Sequence, residues 1–294
     1  FRTNGLYLFL ALIFYSAVIT EGVKKMRNVT AKLVLIFVIL VLIEFTITHI
    51  SYAKVDKADI VGMWLFDEGK GNTVGDSSGN SHDGTITGAP VWDKGNFGNA
   101  LNINASNFVR VPYKADLSLK TFTITVWLST KNGGAWIGVI SKAFDNPTRN
   151  YTLYLHQDTN TASISIGNQA GGAWSDATGT TPINDGKWHH VAISFDEKSK
   201  VGKVFTDGKQ EAQYNVAHDI PQHEADLVFA SWAHGGGNGG YIGLLDEIAI
   251  LKAALGETDI KDIMQNGLGK ISFPVESKGR MASFWGKVKS SADN

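Results

Sequence analysis

The 294 residues are 43% hydrophobic and 19% charged, which supports a buried core and excludes a wholly disordered chain. A formal net charge of -1 gives no support to a nucleic-acid partner. The absence of cysteine excludes disulfides, thiolate metal sites, cysteine nucleophiles and a lipid-modified cysteine.

Glycine is abundant, with 32 residues against 6 prolines and no repeating period, so tight turns are expected throughout. Two apolar stretches, 6–20 and 33–43, flank the basic group Lys24, Lys25, Arg27 and Lys32. The second has the anatomy of a secretory signal, with Met26 as a start and Arg27 and Lys32 as the positive region. Ser51-Tyr52-Ala53 supplies the small residues of a cleavage site, so cleavage after Ala53 is expected and 26–53 reads as a signal peptide. Residues 1–25 read as an over-extended or non-native leader. The rival reading is a membrane anchor, although neither run reaches the roughly 20 apolar residues that span a bilayer. Removing 1–53 leaves 22 basic and 26 acidic residues, a mildly acidic chain.

From 58 to 268 short β segments alternate with turn signals. Strands are expected at 60–66, 100–104, 107–111, 122–129, 137–141 and 151–156. Further ones are expected at 163–167, 189–195, 201–206, 226–230 and 244–251. Over 122–129, Phe122, Ile124, Val126 and Leu128 alternate with Thr123, Thr125 and Trp127, giving one packed face and one polar face. Asp207-Gly208 reads as a hairpin turn. A single helix is expected at 257–265, with Ile260, Ile263 and Met264 on one face and Gly267 ending it. Many short strands and one small helix predict an all-β, two-sheet antiparallel sandwich of jelly-roll type.

Several segments occur in an order that resembles a known family. They are Trp64-Leu65-Phe66-Asp67-Glu68-Gly69, Asp76-Ser77-Ser78-Gly79-Asn80 with Asp83-Gly84, Phe97-Gly98-Asn99-Ala100-Leu101 and Phe122-Thr123-Ile124-Thr125-Val126-Trp127. Trp188-His189-His190-Val191-Ala192, Thr206-Asp207-Gly208 and Gly243-Leu244-Leu245-Asp246-Glu247-Ile248 follow. Together they resemble a laminin-G-like, concanavalin A-like jelly-roll domain over 58–268. The resemblance implies one convex and one concave sheet, with glycans or proteins recognised on the concave face or rim. It does not by itself assign a function, because the fold hosts many.

Candidate ligand-binding residues are the aromatics of Gly-rich segments: Trp136 after Gly133-Gly134, Trp174 after Gly171-Gly172, Trp232 before Ala233-His234, and Tyr241 after 235–240. Flat aromatic faces suit the apolar side of a sugar ring, with Asn and Asp to satisfy its hydroxyls. The competing role is anchoring of each loop to its own sandwich edge. Trp64, Trp92, Trp127 and Trp188 read as structural.

A structural calcium ion is a second expectation, shared by Asp67 and Asp246 where the first and last strands of such a jelly roll meet. Asp246 has the parity of Ile248 and Ile250, so its burial is expected, and two carboxylates meeting there would repel unless a cation lies between them. The alternative is that these carboxylates cap loop N–H groups. Asp176 reads as a loop residue remote from that site.

Catalysis is not expected. A jelly-roll glycosidase needs two carboxylates along one strand, and the nearest match, Glu224-Ala225-Asp226-Leu227-Val228-Phe229, has Phe229 at the second acid position. His189 and His190 are neighbours on a strand and face opposite ways, so they do not share a metal. The tail 269–294 carries no sorting motif. The sequence therefore reads as an exported, non-enzymatic module that binds glycans or extracellular proteins in adhesion or matrix-type contacts. Its alternatives are an assembly domain of a surface complex and, less well supported, a glycosidase relative.

Overall fold

The computed structural model describes residues 55–104, 106–143, 149–167, 174–232 and 240–270. The expected leader and the tail beyond 270 lie outside the described residues.

Two antiparallel sheets face each other across one core. At the centre of the first, β7 (Phe122–Ser129) pairs with β12 (Trp188–Asp196), and the register places Phe122 opposite Phe195, Ile124 opposite Ile193 and Val126 opposite Val191. Directly opposed residues point to the same side, so these apolar pairs all enter the interior. β16 (Gly243–Leu251) flanks β7 on its other edge. Its second half pairs with β1 (Ile60–Trp64), from Ile60 opposite Leu251 to Trp64 opposite Ile248. Its first half pairs with β5 (Asn99–Ile103), which carries β4 (Trp92–Lys94). β13 (Val201–Thr206) and β14 (Lys209–Asn215) extend the opposite edge as a hairpin. Its Asp207-Gly208 turn has φ of 50° and 74°, the left-handed pair that such a turn demands.

The second sheet runs β11 (Trp174–Pro182), β10 (Thr161–Gly167), β9 (Arg149–Leu155), β8 (Ile137–Ala143) and β15 (Leu227–Phe229). It continues with β6 (Phe108–Val111), β3 (Gly84–Thr87) and β2 (Thr73–Val74). Tyr151, Leu153, Leu155, Ile164 and Ile166 meet the inner face of the first sheet. Trp64 is fully buried, its indole N–H donating to His82 O at 2.9 Å and its ring edge-on to Phe229 at 4.9 Å. Burying an aromatic of that size stabilises the fold by roughly 1.5–3 kcal/mol.

A smaller core forms outside the first sheet. There α1 (Glu257–Asn266) lays Ile260 and Ile263 on Phe205, Ala249 and Leu251, and Gly267 ends the helix at φ 71°. Every expected strand and the helix are present within a few residues. β1 stops at Trp64 because Phe66 turns to φ 58°. Five further strands, β2, β3, β4, β11 and β14, are additional. They are short, or polar on both sides, and carry no strong period of two.

Candidate functional site

The outer face of the second sheet is polar and aromatic because its strands alternate. On β9 the residues between the core positions are Asn150, Thr152 and Tyr154; on β10 they are Ser163 and Ser165. The register sets Tyr154 opposite Ser163 and Ser163 opposite Thr178, while the next row holds Ser141, Thr152, Ser165 and Asp176. A floor of hydroxyls and one carboxylate results, with Ser141, Thr152, Ser163 and Ser165 fully buried and Asp176 exposed at its edge.

Aromatic rings close one end of this floor. The Trp136 ring stands edge-on to His156 at 4.4 Å and lies 5.5 Å from Tyr154, with 40% of the residue exposed. Trp232 is buried beside them, 5.9 Å from Tyr154, and its indole N–H donates to Trp136 O at 3.2 Å. The Arg149 guanidinium lies 5.2 Å from the centre of the Trp232 ring and donates from Nη1 to Ser165 Oγ at 2.9 Å. Burial lowers the Arg149 pKa, and the Asp176 charge opposes that shift. Asp176 is solvent-exposed along one side. Partial desolvation raises its carboxyl above the ordinary range, against a Ser165 hydrogen bond and the charges of Arg149 and His156.

The rim beside Trp136 is tied down by two asparagines. Asn160 Oδ1 accepts from Gly134 N at 3.0 Å, and Asn132 Nδ2 donates to Gly240 O at 3.1 Å. A cleft of about 440 Å³ opens at this end of the sandwich, lined by Thr130, Lys131, Asn132, Gly186 and the exposed Ile242.

Of the four aromatics expected to meet ligand, Trp136 alone presents a described ring to solvent. Tyr241 is fully buried, its hydroxyl set between Ser129 O at 3.0 Å and Leu244 O at 2.9 Å, so its expected role as a ligand platform is corrected to that of a strand anchor. Trp232 is corrected from a surface aromatic to a support beneath Trp136. Trp174 opens β11, and its side chain lies outside the described residues. Asp176 is a strand residue within the floor, not a loop residue. Tyr154, His156, Arg149 and Ser165 escaped the sequence reading, although the polar positions of β9 and β10 were their signal.

Asp67 follows β1 and Asp246 lies on β16, and both grip the turn at 95–99. Asp67 Oδ1 accepts from Asn99 N at 2.9 Å, and Asp246 Oδ2 accepts from Phe97 N at 2.9 Å. Glycine lets that turn come close. A Cβ on Gly98 would lie 1.9 Å from Asp67 Oδ1, and one on Gly95 would lie 2.6 Å from Asp246 Oδ2. Among the described residues no three His, Asp or Glu side chains are grouped to hold a metal ion. Both carboxylates accept from backbone amides of that turn, and Asp246 Oδ1 is buried with no hydrogen-bond partner among the described residues.

Asp246 is fully buried, but not through shared parity with Ile248 and Ile250. A bulge at Glu247, φ 50°, shifts the register between Asp246 and Ala249 and turns Asp246 to the outer face. There it joins Trp127 and His190 in one row. Burial, with smaller additions from Glu247 and Asp67, pushes the Asp246 carboxyl up to about 7 against the Phe97 and Asn96 amides. Burial brings His190 down to about 3. His189 faces away, between Asp207 Oδ2 at 2.8 Å and Asp185 Oδ1 at 3.2 Å.

The carboxylate positions of the glycosidase motif are occupied otherwise. Phe229 is buried against Trp64, and Asp226 pairs with Arg110 at 2.7 Å while accepting from Tyr113 N at 2.9 Å.

Two antiparallel sheets packed face to face define the fold class of a jelly-roll sandwich. The chain belongs to the concanavalin A-like lectin/glucanases superfamily, whose laminin G model matches residues 104–261. Among solved structures it is similar to domain 4 of an extracellular GH43 arabinanase from Geobacillus stearothermophilus, in complex with arabinotriose. That likeness has a TM-score of 0.59 at 22% identity, over 70% of this chain and 98% of that one. The binding domain of Paraclostridial Mosquitocidal Protein 1 matches with a TM-score of 0.59 at 16% identity, over 71% of this chain and 52% of that one. The binding domain of botulinum neurotoxin DC in complex with rat synaptotagmin II matches at 0.55 and 14% identity, over 71% and 51%. The chain thus spans about half the length of the toxin domains. At these identities the likenesses show the fold alone. A comparison with curated protein sequences returns no match.

Proposed function

We propose that the protein is an exported, non-enzymatic recognition module that binds glycans at the exposed Trp136 rim of its second sheet. The observation that carries this reading is Trp136, a half-exposed ring held edge-on to His156 and beside the buried Tyr154, with Asn132 and Asn160 partly exposed at the same rim. The ring offers an apolar plane for the C–H side of a sugar, and the partly exposed Asn132, His156 and Asn160 offer acceptors and donors for its hydroxyls. Support by Trp232 and His156 holds the plane in place before ligand arrives, which lowers the ordering cost of binding. Export is supported by the signal-like segment 26–53, and the absence of catalysis by Phe229 in the acid position.

The test is a glycan array probed with the full chain. Saturable binding is expected, and Trp136→Ala is expected to weaken it by about tenfold or more, as loss of a central aromatic contact does. Binding that is indifferent to Trp136→Ala, in a variant that melts like the parent, removes this face as the site.

A further inference from the structure

The helix α1 covers only part of the outer face of the first sheet. Ala192 and Phe205 lie beneath it, and beyond them the same face passes through Ser194 on β12, Lys203 on β13 and Gln213 on β14. The register sets Ser194 opposite Lys203 and Lys203 opposite Gln213. The three therefore stand side by side in one row, with neighbouring Cβ atoms about 4.5–5.5 Å apart. This row lines a cleft of about 470 Å³. One wall is the segment 253–255, fixed by Thr123, whose Oγ1 donates to Ala253 O at 2.6 Å and accepts from Leu255 N at 2.9 Å. The other wall is the turn after β12. There Asp196 accepts from Lys198 N at 3.3 Å, from Ser199 N at 3.1 Å and from Ser199 Oγ at 2.7 Å.

The groups this cleft leaves open are chiefly donors. Among the described residues, no hydrogen bond or ion pair engages the Lys203 ammonium, the Gln213 amide or the hydroxyl of Ser194, a residue only 2% exposed. Thr121, also at the cleft, accepts from Glu197 N at 3.1 Å, which leaves its O–H free to donate. Asp196 has both oxygens engaged by its own turn, Ser199 holds its carboxyl below the ordinary range, and the charge of Lys198 lies beside it.

We infer that this cleft is a second binding site, separate from the Trp136 rim, and that it takes a uronate, a sugar ring whose carboxylate meets Lys203. An ammonium–carboxylate contact is a charge-assisted bond, about twice as strong as a neutral one. Ser194 and Gln213, the neighbours of Lys203 in the row, face the ring hydroxyls with donors and acceptors. Val201 and Leu255 supply apolar ground for the ring C–H groups. The volume lies within the roughly 300–1,000 Å³ usual for small-ligand sites. A neutral sugar makes the same hydroxyl contacts but leaves the ammonium unpaired, so the carboxylate decides the preference.

The experiment titrates the full chain with trigalacturonic acid and with its methyl ester, which keeps the rings and removes the charge. Saturable binding of the acid is expected, with the ester about tenfold weaker. Lys203→Met removes the ammonium and keeps the stem, and Gln213→Glu sets a like charge beside the ligand. Each is expected to weaken binding of the acid about tenfold, and thermal melting checks that each folds. Lys203→Arg is expected to retain binding, and Lys252→Met, at an exposed lysine outside the cleft, to leave it unchanged. An acid that does not bind, an ester that binds as tightly, or binding indifferent to both Lys203→Met and Gln213→Glu overturns the inference. So does equal weakening by Lys203→Met and Lys252→Met, which marks unspecific attraction to positive charge. None of these outcomes touches the rim reading, which Trp136→Ala tests on its own.

Discussion

His190 and Asp246 sit in one row across β12, β7 and β16, with Trp127 between them, and burial moves their proton affinities in opposite senses. His190, held near 3, stays neutral in the folded protein while the unfolded chain takes a proton below about 6.5. It therefore costs stability as pH falls from about 6.5 towards 3. Asp246, raised to about 7, keeps a proton that the unfolded carboxyl releases near 3.8. Its contribution is present at low pH and is lost as pH rises from about 4 to 7. Between about pH 4 and 6.5 the two slopes oppose each other, each with a limit of about 1.4 kcal/mol per pH unit. Asp246→Asn is expected to leave stability rising with pH across that window, relative to the parent, and His190→Gln to leave it falling. Urea unfolding at pH 4.5, 5.5 and 6.5 reads both, and variant curves parallel to the parent's contradict the assignment.

At the scale of elements, the turn at 95–99 joins β4 to β5 and is held by carboxylates from two distant parts of the chain. Gly98 there has φ 58° and leaves no room for a Cβ beside Asp67, whereas Gly71 has φ 79° with nothing within 4 Å. Gly71→Ala thus measures the backbone preference alone, about 1 kcal/mol. Gly98→Ala adds displacement of the Asp67 cap and is expected to cost about 1–2 kcal/mol more. Equal losses in the two variants, read by thermal or urea melts, exclude a contribution from that cap. The strands that the sequence revealed were the central ones. β7 and β13 match the expected bounds residue for residue, because a strand with one buried face must alternate. β11 and β14 went unseen because edge strands with little burial need no apolar alternation. The bulge at Glu247 was invisible for another reason. A one-residue register shift leaves composition unchanged and appears only when the partner strand is in place.

For the whole molecule, the glycosidase alternative makes a definite demand: two carboxylates about 5–5.5 Å apart for retention of configuration. Phe229 is committed to the core beside Trp64, and Asp226 is paired with Arg110. The protein is expected to release no reducing sugar from β-glucans or arabinan, and turnover that disappears in Glu224→Gln reverses that expectation. The sequence by itself determined the sandwich, its central strands, its helix and its family, because period-two burial and turn chemistry are local constraints. Those motifs keep their order whatever the loops do. Which aromatics face solvent was decided only by the tertiary structure. Tyr241 is closed off by Ser129 and Leu244, and Trp232 by its bond to Trp136 and the overlying Arg149. The floor that gives Trp136 its setting comes from three strands, β9, β10 and β11, brought side by side by the sheet register. Exposure depends on neighbours distant along the chain, so no local pattern encodes it.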